Sequence, residues 1–248
     1  MRADAPLLAL RGVDKVYSNG IVALQGLDLT IREGEFVSLL GPSGCGKSTV
    51  LRLIAGLGEL SGGLLEWSSV QHEIGFVFQD PTLMPWATVF NNIYLPLRVR
   101  GVKKTDATPR VERAMEQVGL AGFGSAYPRE LSGGMRMRVS IARALVAQPK
   151  ILLMDEPFAA LDEITRFRLN DDLLELWASQ RWTVVFVTHS VFESVYLSTR
   201  ILVMSSRPGR VRSEVLVETK RDASFRTSAA YAEQCRTVSA RLAEAMQA

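Results

Sequence analysis

The chain has 248 residues, of which 47% are hydrophobic and 22% are charged, and its formal net charge is +3. This composition is typical of an ordinary globular protein of one or two domains, and without a block of like charges it does not indicate nucleic-acid binding. No stretch approaches about 18 uninterrupted apolar residues and no secretory signal is evident, so the chain is not expected to span a membrane by itself. Its two cysteines, Cys45 and Cys235, exclude a disulfide framework and favour a reducing compartment.

The N-terminal region, residues 7–40, is predicted to form β structure. Three apolar residues there alternate with polar neighbours, as in a strand with one buried face: Leu27, Leu29 and Ile31. Further short strands are predicted at Gly63–Trp67 and Ile74–Phe78.

A glycine-rich segment follows the last apolar run of this region and precedes a helix-patterned stretch. Its residues are Gly41, Pro42, Ser43, Gly44, Cys45, Gly46, Lys47, Ser48 and Thr49. They fill the template G-x-x-x-x-G-K-[ST], in which backbone N–H groups surround a polyphosphate, the lysine reaches its terminal phosphates and the following hydroxyl can ligate Mg²⁺. The alternative is a turn that binds nothing, but the flanking strand and helix favour a site for a nucleoside triphosphate.

Helices are predicted in the middle of the chain at Val89–Leu95, Val111–Val118 and Gly134–Val146. Strands and helices then alternate, with strands at Ile151–Met154, Thr183–Val187 and Ile201–Met204 and helices at Phe167–Trp177 and Val191–Leu197. Such alternation predicts a mainly parallel sheet covered by helices, interrupted by an inserted helical subdomain. A strand at Val211–Val217 and a helix at Ser228–Met246 complete the pattern.

Two carboxylates, Asp155 and Glu156, end the buried strand that begins at Ile151. In α/β folds the carboxyl ends of the strands are where ligands bind. Asp155 suits a contact with Mg²⁺, and Glu156 could accept a proton from an attacking water. A helix-capping acidic pair is the alternative, which the upstream phosphate loop makes less favourable.

A second anion site is predicted where Leu131-Ser132-Gly133-Gly134-Met135 opens a helix. The Ser132 hydroxyl and the N–H groups of a helix start can bind phosphate without a lysine. Two such sites in one chain suggest that ATP is held between two subunits.

These motifs, in this order, resemble those of the nucleotide-binding subunit of an ATP-binding cassette (ABC) transporter, and the resemblance runs from about residue 7 to residue 215. It implies further roles. Tyr17 corresponds to the aromatic residue that stacks on adenine, and Gln79 to the glutamine that links the nucleotide and its metal to the helical subdomain. Asp162 lies in the matching dimer-contact loop, and His189 matches the switch histidine that contacts the γ-phosphate.

Each of these smaller matches also has an ordinary structural reading. Tyr17 could be a strand aromatic, Gln79 a polar strand end, Asp162 a turn or cap carboxylate, and His189 a capping or surface histidine. His72 lacks a comparable context and is expected to be structural or solvated.

The sequence departs from the family pattern where Met135 and Met137 replace two common glutamines, so any hydrogen bond of those amides is absent. An ending of this kind resembles the branch of nitrate, sulfonate, taurine and bicarbonate importers, as do the segments 80–86 and 206–210. Importers of pyrimidine precursors share much of this signature. The branch therefore does not fix the transported solute.

The resemblance implies an α/β P-loop NTPase fold with an N-terminal antiparallel β subdomain. Residues 1–79 and 149–220 are expected to form a RecA-like ATP-binding core, residues 80–148 a helical subdomain, and residues 221–248 a helical tail. The implied cofactors are ATP and Mg²⁺, the latter held by Ser48, Gln79 and Asp155. Catalysis is expected to involve Glu156, His189, Lys47 and Gln79.

The implied partners are a transmembrane permease, a second ATP-binding subunit that is identical or a paralogue, and indirectly a solute-binding protein. Such a subunit would lie at the cytoplasmic face of the cell membrane and drive uptake of a small anionic or heterocyclic solute. The apolar run Leu83-Met84-Pro85-Trp86 is a candidate dock for the permease, although such a cluster could equally belong to the core. The alternatives are a soluble ABC-type ATPase of DNA repair or translation and, less favoured, a P-loop small-molecule kinase.

Overall fold

The computed structural model of the protein describes residues 6–68, 73–180, 182–218 and 224–247. The chain divides into two compact units, the first formed by residues 1–71 and 182–248 and the second by residues 72–181. His72 and the expected boundary at residue 220 lie outside the described residues. The boundaries of these two compact units differ from those expected for the ATP-binding core and the helical subdomain. That functional division therefore stays a prediction.

The first unit contains seven strands and three helices in the part of it that the structure describes. Its strands are β1 (Pro6–Val16), β2 (Val22–Arg32), β3 (Phe36–Leu40), β4 (Gly62–Trp67), β7 (Thr183–Thr188), β8 (Arg200–Met204) and β9 (Val211–Leu216). Its helices are α1 (Lys47–Ile54), α6 (Val191–Leu197) and α7 (Ala229–Gln247). A turn of 3₁₀ helix at Phe225–Thr227 precedes α7.

An antiparallel sheet with the strand order β2-β1-β4 forms the N-terminal part of this unit. Leu27, Leu29 and Ile31 are all buried, as their alternation predicts, and their polar neighbours are exposed or half-buried. The antiparallel β subdomain expected from the resemblance is therefore confirmed.

The second sheet of this unit is mainly parallel. β3 lies between β7 and β8 and is parallel to both, while β9 adds to β8 in the antiparallel direction. Every residue of β3, β7 and β8 is buried, which is typical of parallel strands with both faces covered. Register places Leu40 opposite Thr188, so the loops that follow β3 and β7 begin side by side at one edge.

A buried arginine connects the two sheets of the first unit. Arg200 is only 4% exposed, and its guanidinium donates to the carbonyl of Thr30 at 2.5 Å and to the carboxylate of Glu35 at 2.8 Å. It also pairs with Glu214 at 3.1 Å. Because a buried charge is costly unless it is paired, this cluster fixes β2 and the start of β3 against β8 and β9.

The second unit contains two strands and four α-helices in its described residues. The strands are β5 (Ile74–Val77) and β6 (Ile151–Asp155), which pair in parallel. The helices are α2 (Val89–Val99), α3 (Lys104–Gln117), α4 (Gly133–Leu145) and α5 (Glu163–Gln180). A turn of 3₁₀ helix at Pro128–Glu130 precedes α4.

Three helices of this unit extend further than the sequence predicts, and one of them, α5, spans Glu163–Gln180 instead of Phe167–Trp177. α2 continues past Pro96 to Val99, and α3 begins at Lys104 and contains Pro109. Proline usually marks a helix boundary, because it lacks an N–H and clashes with the preceding turn. The first turn of α3 is polar and exposed apart from Ala107, so apolar periodicity does not reveal it.

Candidate nucleotide-binding site

The phosphate loop, Gly41–Thr49, connects β3 to α1 in the first unit. Gly44 and Gly46 have φ angles of +77° and +100°, a region that side chains other than glycine rarely adopt. A Cβ atom on Gly46 would lie 2.7 Å from Cδ2 of Leu24 and 2.9 Å from the carbonyl oxygen of Ala23. Both the backbone conformation and the available space therefore require glycine in this loop.

Lys47 is 4% exposed although it carries a charge. Its Nζ donates to the carbonyl oxygens of Gly41 at 2.8 Å and Pro42 at 3.0 Å. The ammonium thus lies across the loop and fixes its curvature. The Cys45 side chain is also buried, with Sγ 4.0 Å from the same Nζ, while Ser43 and Gly44 are exposed.

The first turn of α1 follows directly. The N–H of Val50 makes the first helical hydrogen bond, to Gly46 at 3.0 Å. The positive end of the helix dipole lies at this first turn, beside the phosphate loop. Ser48 is half-buried in this turn, with its hydroxyl at the position that the template assigns to Mg²⁺.

Tyr17 lies at the end of β1 in the same unit. Its hydroxyl is 3.0 Å from Oγ1 of Thr49, and the side chain is 38% exposed. The ring is thus held beside the start of α1 and retains an accessible surface, which a residue that stacks on a base requires.

His189 is exposed at the carboxyl end of β7. Since Leu40 pairs with Thr188, His189 and Gly41 follow neighbouring positions of two parallel strands. The turn that bears His189 is fixed by Thr188, whose hydroxyl donates to the buried carboxylate of Glu193 at 2.5 Å. The sequence analysis missed Glu193, although Ser190-Val191-Phe192-Glu193 has the S-x-x-E spacing of a capping box. Ser190 does accept the N–H of Glu193 at 3.3 Å.

In the second unit, Asp155 and Glu156 are half-buried at the carboxyl end of β6. Glu156 has a φ angle of +44°. A non-glycine residue in this region costs of order 1–3 kcal/mol, and such strain is concentrated at functional sites. The backbone strain thus coincides with the residue that the sequence analysis assigns as the base.

Ser132 caps α4, because its hydroxyl accepts the N–H of Met135 at 3.2 Å. The side chain is exposed. A Cβ on Gly134 would lie 2.6 Å from Cγ2 of Thr165 on α5, so this glycine lets the two helices approach closely. The close approach of α4 and α5 therefore explains the glycine at position 134, and Ser132 remains accessible to a ligand.

A cavity of about 430 Å³ in the second unit is lined by Gln79 together with Gly133, Met137 and Leu161. Gln79 itself is exposed. The structure thus brings Gln79 to the same cavity as the start of α4.

Asp162 precedes α5 and accepts the N–H of Thr165 at 3.0 Å. This hydrogen bond holds the pKa of the Asp162 carboxyl below its ordinary value. Asp162 is therefore a helix cap, which is compatible with a second role because the residue is exposed.

The predicted site residues thus form two groups, one in each unit. Tyr17, the phosphate loop and His189 belong to the first unit. The second unit contains Gln79, Ser132, Gly133, Gly134, Asp155, Glu156 and Asp162.

A comparison with protein families decides the class of the chain. The family model described as ABC transporter matches residues 24–159, which is more than half of the chain. The chain belongs to the ABC transporter family. It is therefore an ATPase of the kind that couples ATP hydrolysis to transport. The resemblance seen in the sequence is confirmed.

Curated relatives of this ABC cassette are similar over nearly their whole length. The aliphatic sulfonates import ATP-binding protein SsuB 1 of Pseudomonas syringae pv. syringae is 48% identical over 220 residues, which cover 87% of this chain and 89% of the relative. An uncharacterized ABC transporter ATP-binding protein of Methanocaldococcus jannaschii is 45% identical over 222 residues, covering 86% and 83%.

Solved structures confirm the fold class. A dimeric ATP-binding cassette in a post-hydrolysis state with ADP and Pi has a TM-score of 0.75 and 33% identity, covering 86% of this chain and 100% of that one. CbiO1 from Clostridium perfringens, part of the ABC transporter complex CbiONQ, has a TM-score of 0.80 and 26% identity, covering 97% of both chains. Among the described residues of this cassette, no helix combines the length and the apolar character that crossing a membrane requires.

Proposed function

We propose that this ABC cassette is the ATP-hydrolysing subunit of an importer, and that it energises uptake of a small organic anion of the aliphatic sulfonate class through a separate permease. The observation that carries the solute class is the 48% identity, over 220 residues, to an aliphatic sulfonates import ATP-binding protein. The geometry of the phosphate loop supports the nucleotide part of the proposal independently.

The phosphate loop receives the polyphosphate in this proposal. Its glycines allow backbone N–H groups to face the anion, and the first turn of α1 adds its dipole. Lys47, which now bonds the carbonyls of Gly41 and Pro42, would turn toward the terminal phosphates. Tyr17 stacks on the adenine, and His189 donates a hydrogen bond to the γ-phosphate.

A second subunit completes the site in this proposal. Its Ser132, Gly133 and Gly134 provide a hydroxyl and helix-start N–H groups, while Asp162 lies at the dimer contact. The exposure of Ser132 supports this role, since a cap whose side chain faces solvent can also meet a ligand from outside. The dimeric arrangement of the solved cassette structure supports the same proposal.

Hydrolysis requires a base that accepts a proton from the attacking water. Glu156 is assigned this role, because its carboxylate is half-buried and its backbone is held in a strained conformation. Gln79 is proposed to report the presence of the nucleotide to α4, whose first residues line the same cavity.

Mg²⁺ is the proposed metal, because the first unit offers the hydroxyl oxygen of Ser48 and the second unit offers the carboxylate of Asp155 and the amide oxygen of Gln79, each a hard oxygen ligand of the kind that this ion prefers. It would neutralise charge on the β- and γ-phosphates when bound.

The permease dock is assigned to a groove of the second unit. The groove has a volume of about 480 Å³, and its lining includes two arginines, Arg100 and Arg143, and the apolar residues Phe76, Phe78, Leu95, Pro96 and Val99. Thr82 also lines it and directly precedes the apolar run 83–86 in the chain. Trp86 is 77% exposed, whereas Met84 is held by Asn92, which donates to its carbonyl and accepts its N–H. Trp86 does not line the groove itself; its exposure supports it as a second anchor of the proposed contact, whose occupant is a helix of the transporter's permease.

The experiment is co-expression of the cassette with the permease encoded beside its gene, followed by detergent extraction of membranes. The proposal predicts that the cassette co-purifies with the permease from the cytoplasmic face of the membrane. Recovery of the cassette with ribosomes or DNA instead would support a soluble ABC-type ATPase and contradict the proposal.

A further inference from the structure

The segment Ser205–Arg210 connects β8 to β9 and has a closed base. The N–H of Ser205 donates to the carbonyl of Arg210 at 2.9 Å, and the N–H of Arg210 donates to the hydroxyl of Ser205 at 3.1 Å. That hydroxyl in turn donates to the carbonyl of Pro208 at 3.1 Å. With these bonds the tip of the loop is held in one conformation.

Gly209 fits this loop tightly against the phosphate loop. A Cβ atom on Gly209 would lie 2.0 Å from the carbonyl oxygen of Cys45, which no side chain could tolerate. The N–H of Gly209 donates to the carbonyl of Ala23 at 2.9 Å, and the same carbonyl oxygen lies 2.9 Å from the position of a Cβ on Gly46. The two loops therefore share one support on β2 and contact each other through their backbones.

Arg207 extends this contact with a charge. Its Nε donates to the carbonyl of Gly44 at 3.2 Å, and its guanidinium lies 3.2 Å from the position that a Cβ on Gly44 would take. In a trans peptide group the C=O and the N–H point to opposite sides. The N–H of Cys45 shares the peptide group of the Gly44 carbonyl, and it donates to Pro42 within the phosphate loop at 3.3 Å.

We propose that Arg207 is a positioning residue of the nucleotide site: by binding the Gly44 carbonyl it fixes the Gly44–Cys45 peptide, whose N–H closes a turn on Pro42, and so it fixes the shape of the loop that receives a polyphosphate. The proposal rests on the assignment of the phosphate loop as the nucleotide site. A guanidinium has five N–H donors, of which the bond to Gly44 uses one. Its positive charge beside the loop also favours an anionic ligand, by an amount that salt reduces.

Arg210 provides the matched control within the same loop. Its guanidinium bonds the side chain of Gln25 at 2.5 Å instead of the phosphate loop. The two arginines thus lie three residues apart in one loop, Arg207 exposed and Arg210 half-buried, and of the two only Arg207 contacts Gly44.

The test is nucleotide binding by the full-length cassette, measured by calorimetry with ATP and with ADP, for Arg207→Met, Arg207→Lys and Arg210→Met. Arg207→Met keeps the length of the side chain and removes both donor and charge, so it should raise Kd by about three- to tenfold, the scale of a single exposed charged hydrogen bond. Arg207→Lys should recover part of this loss, and Arg210→Met should bind like wild type. The difference should shrink as ionic strength rises.

Steady-state kinetics separate positioning from chemistry. KM for ATP should rise in Arg207→Met while kcat stays within about twofold, the pattern of lost ground-state binding. ATP affinities of all three variants equal to that of the wild-type protein would overturn the proposal. A melting temperature reduced in Arg207→Met but unchanged in Arg210→Met, with unaltered affinity, would show that Arg207 is only structural. Failure of the wild-type protein to bind ATP would instead refute the nucleotide site itself.

Discussion

Glu156 is one of three non-glycine residues with a positive φ angle in the described part of the chain, together with Thr82 and Gln148. Of the three, only Glu156 follows a buried strand with an acidic partner beside it. Sequence alone identifies its carboxylate as a candidate base, but the strained backbone is a property of the fold that residue types do not reveal. The strain supports the assignment because the surrounding structure must stabilise a conformation that is otherwise unfavourable.

Glu156→Gln should retain ATP binding and lose turnover by about 10²- to 10⁴-fold, because a carboxamide keeps the shape of the side chain but is a poor proton acceptor. The measurements are ATP hydrolysis and ATP affinity of the purified variant, together with size-exclusion chromatography, which should show an ATP-bound dimer. Glu163→Gln, at an exposed position in the first turn of α5, is the control. Near-normal hydrolysis by Glu156→Gln would exclude Glu156 as the base.

At the scale of elements, the long and strongly patterned segments are predictable from sequence. The buried strands β6, β7 and β8 are found where their apolar runs predict them, because a parallel strand with both faces covered needs a continuous hydrophobic run. The start of α3 is not predictable in this way, since its first turn is polar and Pro109 resembles a boundary. The contact of Arg207 with Gly44 could not be predicted either, because it joins residues 163 positions apart in the sequence.

The start of α4 has a capping role as well as a proposed ligand role, and the two can be separated. Ser132→Ala removes the cap, which typically costs about 1 kcal/mol of stability, but leaves the space beside it open. Ser132→Arg removes the cap and also fills the space in which the γ-phosphate of the opposite subunit is proposed to lie. Both variants should bind ATP as monomers, and only Ser132→Arg should block dimerisation and hydrolysis entirely.

The measurements for this pair are monomer ATP affinity, thermal stability and ATP-dependent dimerisation by light scattering. The phosphate loop of the same subunit belongs to the other unit of the chain and keeps its own contacts in both variants. A collapse of ATP binding by isolated Ser132→Arg subunits would therefore contradict a role for Ser132 toward the opposite subunit.

At the scale of the whole molecule, the family and its ATPase class follow from the order of the motifs, and the comparisons confirm both. The permease contact is less predictable, because sequence cannot separate an exposed apolar cluster from a buried one. The structure makes this distinction within the run 83–86, where Pro85 and Trp86 are exposed and Leu83 and Met84 are half-buried. In the proposed importer the solute would contact the permease and the binding protein rather than this chain.

Trp86→Asp should abolish co-purification with the permease and leave ATP binding unchanged. An exposed aromatic anchor at the centre of an interface can contribute about 2–4 kcal/mol to binding, and a carboxylate buried there without a partner would add a penalty. Leu57→Asp is a suitable control, because Leu57 is 62% exposed and lies in the other unit. Retained assembly of Trp86→Asp would contradict the dock, and loss of its folding would show that Trp86 supports the core.

The most direct test of the central claim is uptake of a labelled aliphatic sulfonate by cells that express the permease and its binding protein with either the wild-type cassette or Glu156→Gln. Because the variant is expected to assemble but not to hydrolyse ATP, its amount in the membrane should match wild type. The account predicts uptake with the wild-type cassette and none above background with Glu156→Gln. Equal uptake with both proteins would contradict it.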